Sequence, residues 1–155
     1  MNIPFKLLIL DVDGVLTDGG MYYSESGDEF KKFNTKDGIA IRALSKHIPI
    51  GIISNGINKN LIQRRADLLG IEYVYVGADK KIDILNGWCY RLQIKLTDVA
   101  YIGDDVNDME CMKSVGISAC PADAVAKIKA ISKIQLSKNG GDACVREFIE
   151  TYLDI

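Results

Sequence analysis

The chain of 155 residues has the length of one ordinary domain, and its composition, 48 % hydrophobic and 26 % charged residues, is typical of a globular protein. Its net charge of −2 provides no basic surface for nucleic acid or for an anionic membrane, and neither a membrane-spanning run nor an export signal is expected. With one histidine and no C-x-x-C pair among four cysteines, a multi-histidine or cysteine zinc site is excluded, and reduced core cysteines in a cytoplasmic protein are expected.

Apolar runs of strand length alternate with segments that have the helical period. Strands are predicted at 5–12, 48–53, 73–76, 99–102, 117–120 and 133–136. Helices are predicted at 37–46, 81–92, 107–115, 123–130 and 142–152, and a further helix begins after the N-cap Asn58 and stops at Gly70. The strand segments are apolar almost throughout, as expected of strands that are buried on both faces. This alternation predicts a three-layer, Rossmann-like α/β fold, a parallel sheet with helices on both faces, in a single domain over 1–155 with a C-terminal tail at about 138–155.

The segment 20–33 interrupts the alternation. It has two β-prone arms around a Ser-Gly turn and is predicted to be a protruding β-hairpin. An isolated hairpin is marginally stable in water, and this one carries Met21, Tyr22, Tyr23, Phe30 and Phe33. We therefore expect it to pack against copies of itself in an oligomer, and the alternative is an arm that folds back on its own domain.

Polar residues follow four of the predicted strands, at the sheet edge where open α/β proteins bind their ligands. They are Asp11-Val12-Asp13-Gly14, Ser54-Asn55, Gly77-Ala78-Asp79-Lys80-Lys81 and Gly103-Asp104-Asp105-Val106-Asn107-Asp108. Each sequence alone is most often an ordinary turn or a solvated surface charge. Their occurrence at successive strand ends predicts a single crevice that contains several carboxylates, one hydroxyl and one lysine.

These residue types suit phosphoryl transfer. Asp11 and Asp13 are two residues apart in extended chain, so both side chains can face one ligand. A carboxylate can attack phosphorus and form an aspartyl phosphate if a hard cation such as Mg²⁺ screens the negative charges. Asp11 and Asp104 are the expected metal ligands, and Asp13 is the expected general acid and base. Ser54 would donate a hydrogen bond to the phosphoryl group, and Lys81 would neutralise its charge.

The four strand-end sequences resemble the four motifs of the haloacid dehalogenase superfamily, in its phosphatase branch. The resemblance extends over 8–148 and includes 18–20, 32–38 and the tail at 140–147. This fuller pattern is similar to the capless 3-deoxy-D-manno-octulosonate 8-phosphate phosphatases and to their relatives that act on nine-carbon sialic-type acid 9-phosphates. It implies a Rossmann-like fold without a cap domain, Mg²⁺ as cofactor, a homotetramer and a role in lipopolysaccharide biosynthesis.

The resemblance also implies a role for each site residue. Asp11 would be the nucleophile, and Asp13 would be the general acid and base, with its carbonyl oxygen on the metal ion beside Asp104. The residues that bind phosphate and substrate would be Ser54, Asn55, Lys81 and, in the tail of a neighbouring subunit, Arg146. Asp105 and Asp108 would be supporting carboxylates. Lys81 is preferred to Lys80 because it lies four residues after Gly77, as the lysine of the family does.

Three alternatives remain open. An eight-carbon and a nine-carbon substrate are not distinguished, because Gly56 follows Asn55 where relatives generally have a charged side chain after Thr-Gly. A phosphorylatable receiver domain also combines acidic residues, a hydroxyl and a lysine, although its accepting aspartate follows the third strand. A catalytically silent assembly domain is the third alternative, and the complete set of acidic residues argues against it.

Overall fold

The computed structural model describes residues 3–155. The strands are β1 (Leu7–Leu10), β2 (Tyr22–Tyr23), β3 (Glu29–Phe30), β4 (Ile50–Ser54), β5 (Tyr73–Val76), β6 (Val99–Ile102), β7 (Ile117–Cys120) and β8 (Ile134–Gln135). The helices are α1 (Thr35–Leu44), α2 (Lys59–Leu69), α3 (Lys81–Leu92), α4 (Met109–Ser114), α5 (Ala126–Lys129) and α6 (Cys144–Glu150). The bounds of β5, β6, β7 and α3 agree with the prediction residue for residue.

Helix α2 lies between Asn58 and Gly70, as predicted. The predicted helix at 37–46 is displaced by two residues, because the side chain of Asn34 caps α1 by accepting a hydrogen bond from the Lys36 backbone N–H. β4 includes Ser54, one residue beyond its predicted end, and the remaining predicted elements are longer than the observed ones. The predicted first strand loses Asp11 and Val12 to a turn, and the predicted helix at 107–115 begins with a 3₁₀ turn over Val106–Asp108. Asp123 accepts a hydrogen bond from the Gly140 backbone N–H at 2.9 Å, and α5 begins three residues later.

Six strands form one parallel sheet in the order β5-β4-β1-β6-β7-β8, with helices on both faces, so the predicted fold class is confirmed. β1 lies at the centre, and all four of its residues are buried. The chain extends the sheet from β1 first through β4 and β5, and then in the other direction through β6, β7 and β8. Ligands of such sheets bind at the carboxyl ends of the strands where this reversal occurs, which are β1, β4 and β6 here.

Alternate residues of β1 contribute to two hydrophobic cores, one on each face of the sheet. Leu8 and Leu10 pack with residues of α1, α2 and α6, whereas Leu7 and Ile9 pack with residues of α3, α4 and α5. Burial on both faces explains why the strand segments read as continuous apolar runs. All four cysteines are free and buried, as predicted.

The predicted tail at 138–155 contains the core helix α6. Its Val145, Phe148 and Ile149 are at most 1 % exposed, and α6 packs closely against α1. No cap domain interrupts the described residues. Within 3–155, no helix has both the length and the apolar character needed to cross a membrane.

The predicted hairpin is present, but its paired strands are only two residues each. Tyr22 pairs with Phe30, and Tyr23 pairs with Glu29. Four of its large apolar side chains, Met21, Tyr22, Tyr23 and Phe30, are 43 to 64 % exposed. Phe33, in contrast, packs against the core of its own domain. The hairpin therefore contacts its own domain on one side and exposes an apolar surface on the other.

Candidate active site

The chain turns sharply directly after β1. The backbone N–H of Thr17 donates a 3.0 Å hydrogen bond to the carbonyl of Val12, which closes a compact turn over Val12–Leu16. Gly14 in this turn has a φ of +85°, and a Cβ atom there would overlap the carboxylate of Asp104. Glycine is required because no larger residue would allow the turn and the loop after β6 to approach this closely.

Three carboxylates come together at this point. Oxygen atoms of Asp11, Asp104 and Asp108 lie within 4.8 Å of one another. Burial and then the charge of Asp108 raise the pKa of Asp11 well above its usual range, although Lys81 opposes the shift. Burial and the charges of Asp108 and Asp105 raise the pKa of Asp104 to about 7. The cluster is therefore short of positive charge.

Lys81, the first residue of α3, provides the one buried ammonium group of this cluster within the described chain. Its Nζ lies 2.9 Å from Oδ1 of Asp11 and 2.7 Å from Oδ1 of Asp108. Burial alone would lower the pKa of Lys81, but the charges of Asp11 and Asp108 outweigh it and the pKa is raised. Asp108 also accepts hydrogen bonds from the Tyr101 hydroxyl at 2.7 Å and from the Asp104 backbone N–H at 3.1 Å. Asp108 thus fixes both Lys81 and the loop that carries Asp104.

A cavity of about 320 Å³ opens above these carboxylates, at the carboxyl ends of β1, β4 and β6. Among the described residues, its lining consists of Asp11, Asp13, Gly19, Ser54, Asn55, Gly56, Asp104, Asp105 and Asn107. Four of these residues are aspartates and none is a lysine or an arginine. An anionic phosphoryl group would be repelled unless a cation accompanied it, and carboxylate oxygens are the ligands that Mg²⁺ prefers.

Two residues at the carboxyl end of β4, Ser54 and Asn55, complete the cavity. Ser54 is buried, and its Oγ accepts the backbone N–H of Gly56 at 3.1 Å, so its hydroxyl proton can be donated to a ligand. The amide nitrogen of Asn55 donates to the carbonyls of Gly77 at 2.9 Å and Asp79 at 3.4 Å. The Asn55 side chain therefore connects the loop after β4 to the loop after β5.

Asp13 lies at the edge of the cavity, with 40 % of its side chain exposed. Its Oδ1 is 2.6 Å from Nζ of Lys31, on the hairpin arm, and Lys31 also lies 3.0 Å from Glu29. Burial would lower the pKa of Lys31, but its hydrogen bonds to Asp13 and Glu29 raise it overall. Lys31 was not predicted from the sequence, although Glu29, Lys31 and Phe33 alternate along one arm of the hairpin and therefore share one of its sides.

The structure brings together eight of the nine predicted site residues. Asp11, Asp13, Ser54, Asn55, Asp104 and Asp105 line the cavity, and Lys81 and Asp108 lie behind Asp11. Their catalytic roles stay predictions. Lys81 belongs to the cluster, whereas Lys80 is exposed.

The ninth predicted residue, Arg146, does not reach the cavity of its own chain. It lies on α6, where its Nε bonds Glu150 at 2.7 Å, and it lines a different surface depression together with Lys36 and Lys138. A binding role for Arg146 would therefore require the site of a neighbouring subunit, which is where the family resemblance places it.

Comparisons with known proteins agree with this geometry. A model of the haloacid dehalogenase-like hydrolase family matches residues 53–149. The chain is 39 % identical over 149 residues to the 3-deoxy-D-manno-octulosonate 8-phosphate phosphatase of Salmonella typhi. This alignment covers 96 % of this chain and 79 % of the relative. It is also 39 % identical over 153 residues to the enzyme of that name from Escherichia coli strain K12, with the same shares of both chains.

Solved structures of such phosphatases are similar as well. The 3-deoxy-D-manno-octulosonate 8-phosphate phosphatase of Moraxella catarrhalis, in complex with magnesium ion, phosphate ion and KDO, has a TM-score of 0.91 at 35 % identity, covering 95 % of this chain and 84 % of that one. The cobalt-bound phosphatase of Haemophilus influenzae has a TM-score of 0.87 at 33 % identity, covering 96 % and 86 %. The chain thus belongs to the haloacid dehalogenase-like hydrolases and is a phosphatase.

Proposed function

We propose that the protein is a Mg²⁺-dependent phosphomonoesterase for a small acidic sugar phosphate, of the 3-deoxy-D-manno-octulosonate 8-phosphate type. The observation that carries this proposal is the cavity with four aspartates and no cationic residue among its nine described lining residues. Such a lining binds a phosphate ester only together with a metal ion. The substrate class is supported by relatives with that name at 39 % identity and by a similar structure that holds magnesium, phosphate and KDO.

The residues present fit a magnesium ion. Asp11 and Asp104 would hold it, together with the main-chain carbonyl of Asp13, as the resemblance implies. Oδ1 of Asp104 is buried and has no hydrogen-bond partner among the described residues, and a cation would satisfy this oxygen. Both oxygens of Asp108, in contrast, already accept hydrogen bonds, so Asp108 supports the site from outside. When bound, Mg²⁺ would screen the repulsion between the carboxylates and the phosphoryl group.

In the proposed reaction, Asp11 attacks phosphorus. Lys81 bonds Oδ1 of Asp11, which orients the carboxylate and leaves Oδ2 for the attack. The bond between phosphorus and the sugar oxygen breaks, and Asp13 donates a proton to that oxygen. Asp13 then removes a proton from the water that hydrolyses the aspartyl phosphate, which releases phosphate and restores Asp11. The hydroxyl of Ser54 holds a phosphoryl oxygen throughout.

The two other functional classes fit less well. A receiver domain keeps its phosphoryl group, whereas the family matched here is one of hydrolases. A silent assembly domain would have no use for a buried lysine shared by two carboxylates. The relatives named above support an eight-carbon acid over a nine-carbon acid, because their names specify the octulosonate.

The experiment that tests the function is phosphate release with Mg²⁺ from a panel of esters. The panel contains 3-deoxy-D-manno-octulosonate 8-phosphate, N-acetylneuraminate 9-phosphate and glucose 6-phosphate. We expect the highest kcat/KM for the eight-carbon acid, and no turnover by Asp11→Asn, because its amide is a poor nucleophile. Higher kcat/KM for the nine-carbon acid would reassign the substrate. A single stoichiometric release, with a stable phosphoprotein, would indicate a receiver domain instead.

The proposal includes assembly as a homotetramer through the hairpin. The exposed apolar surface of Met21, Tyr22, Tyr23 and Phe30 supports it, because a patch of this kind is typical of a contact between subunits. A neighbouring subunit could also bring its Arg146 to the cavity. Sedimentation equilibrium should show four chains for the wild type and a smaller assembly for Phe30→Ser. A monomeric wild type would contradict the proposal.

Action in the cytoplasm is also part of the proposal. Four free, buried cysteines fit a reducing compartment. The net charge of −2 gives no attraction to nucleic acid or to an anionic membrane. Cell fractionation should therefore recover the protein with cytoplasmic markers, and recovery with the membrane or the periplasm would contradict this.

A further inference from the structure

The hairpin arm that contains β3 presents alternate residues to its two sides. The side chains of Glu29 and Lys31 are only 8 % and 4 % exposed and face the protein's own domain. Phe30, between them, is 57 % exposed, and the side chain of Lys32 is 66 % exposed. This is the period of two that an extended chain imposes. The inner side of the hairpin therefore carries one carboxylate and one ammonium group.

These two inner residues connect the hairpin to the cavity. Nζ of Lys31 lies 2.6 Å from Oδ1 of Asp13 and 3.0 Å from Oε1 of Glu29. The other carboxylate oxygen of Glu29 accepts a hydrogen bond from the amide of Asn58, directly before α2. A continuous series of polar contacts thus runs from the start of α2 through the hairpin to Asp13.

Lys31 contacts Asp13 without reaching the space where a substrate would lie. Within the described chain, it is the one side chain that donates a hydrogen bond to the Asp13 carboxylate, and it is not among the residues that line the cavity. Only 4 % of the Lys31 side chain is exposed, so water screens its charge poorly. The side chain of Asp13 is 40 % exposed, and its ion pair with Lys31 restricts its rotation. A proton donor is effective only when it is held in the right orientation.

We propose that Lys31 is a positioning residue, which holds the carboxylate of Asp13 in the orientation from which Asp13 exchanges protons. The inference rests on the proposed function, in which Asp13 is the general acid and base. Glu29 assists by holding the ammonium group of Lys31 from the other side. The hairpin, besides exposing an apolar surface, is in this way a component of the catalytic apparatus.

The test compares Lys31→Met, Lys31→Arg and the matched control Lys32→Met, which lies on the outer side of the same arm. Two substrates are used with each variant, the sugar-acid phosphate and p-nitrophenyl phosphate. The leaving group of the second needs little protonation, so a misplaced acid should matter less for it. Thermal unfolding of each variant is recorded alongside.

For Lys31→Met we expect kcat/KM on the sugar-acid phosphate to fall about 10- to 100-fold, because general acid–base catalysis contributes about 10²- to 10⁴-fold and misorientation removes part of it. On p-nitrophenyl phosphate we expect a loss below about threefold. KM on the sugar-acid phosphate should stay within about twofold of the wild type, because Lys31 does not line the cavity. Lys31→Arg should recover most of the activity, and Lys32→Met should match the wild type.

Several results would overturn the inference. Unchanged kinetics of Lys31→Met would do so, as would equal losses on both substrates, which indicate general structural damage. A raised KM with the wild-type kcat would assign Lys31 to substrate binding instead. If Lys31→Met does not fold, Glu29→Gln serves as the second variant, with the same selective loss expected at a smaller size. A wild type that hydrolyses p-nitrophenyl phosphate but none of the sugar-acid phosphates would refute the proposed substrate. The comparison then uses glycerol 3-phosphate, whose alkoxide leaving group also needs a proton, and an equal loss of Lys31→Met on this ester and on p-nitrophenyl phosphate would overturn the inference about Lys31.

Discussion

Binding of Mg²⁺ should weaken about tenfold or more when the pH is lowered from 8 to 6. Burial and the charges of Asp108 and Asp105 raise the pKa of Asp104 to about 7 in the metal-free protein. With that pKa, about one tenth of Asp104 is protonated at pH 8 and about nine tenths at pH 6. Only the ionised carboxylate binds the metal, so the competent fraction falls about tenfold, and the apparent Kd rises by the same factor. Asp11, whose pKa is also raised, can only add to this effect.

Isothermal titration calorimetry of the metal-free protein with MgCl₂ measures both the affinity and the protons released. Titrations at pH 6, 7 and 8, in two buffers of different ionisation enthalpy, should show about one proton released per ion at pH 6 and few at pH 8. Asp105→Asn is the matched variant, because Asp105 raises the pKa of Asp104 and its capping bond to the Val106 N–H can be made by asparagine. In this variant the pH dependence should move to lower pH. A Kd that is constant from pH 6 to 8, without proton release, would refute the reasoning.

Three further predictions concern the same cluster. Gly14→Ala should abolish Mg²⁺ binding, measured by calorimetry, because its Cβ atom would displace the Asp104 carboxylate. Lys81→Met should lower the free energy of unfolding in urea by about 3 to 5 kcal/mol and abolish turnover, because buried carboxylates lose their partner. The metal-free protein should become less stable to heat as the pH rises from about 4 to 7. Burial raises the pKa of Asp37 to about 6, and burial with nearby charges raises that of Asp104 to about 7. In this pH range the folded state therefore binds more protons than the unfolded state, and a rise in pH favours unfolding.

Each of these predictions has a control. Gly27 also has a positive φ, of +87°, but a Cβ atom there would meet nothing, so Gly27→Ala should leave Mg²⁺ binding intact. Lys80→Met, next to Lys81 but exposed, should change neither stability nor turnover. Saturating Mg²⁺ should stabilise the protein more at pH 8 than at pH 6. The structural explanation would be contradicted if Gly27→Ala weakened Mg²⁺ binding as much as Gly14→Ala, or if Lys80→Met acted like Lys81→Met. A melting temperature of the metal-free protein that rises from pH 4 to pH 7 would contradict it as well.

The sequence alone determined the architecture and most of the site. The strands of the sheet are buried on both faces, so their apolar runs are visible without knowledge of their partners. The carboxyl ends of parallel strands meet at one edge of the sheet whatever the strand order, and Asp11, Ser54 and Asp104 could therefore be assigned to one crevice. The resemblance to the family, whose lysine lies four residues after the glycine that corresponds to Gly77, selected Lys81, and the structure places Lys81, not Lys80, within the cluster.

Only the tertiary structure decided which side chains meet across the fold. Lys31 was not recognised because the alternation along the hairpin arm shows only that the arm has two sides. Which side faces Asp13 is decided by the way the hairpin packs against the domain. Arg146 could not be located because the direction of its side chain depends on how α6 packs against α1. The protonation of Asp104 also depends on the charges of Asp105 and Asp108 held beside it. Local sequence specifies the apolar face of each element, whereas contacts between distant elements arise only when those faces are buried against one another.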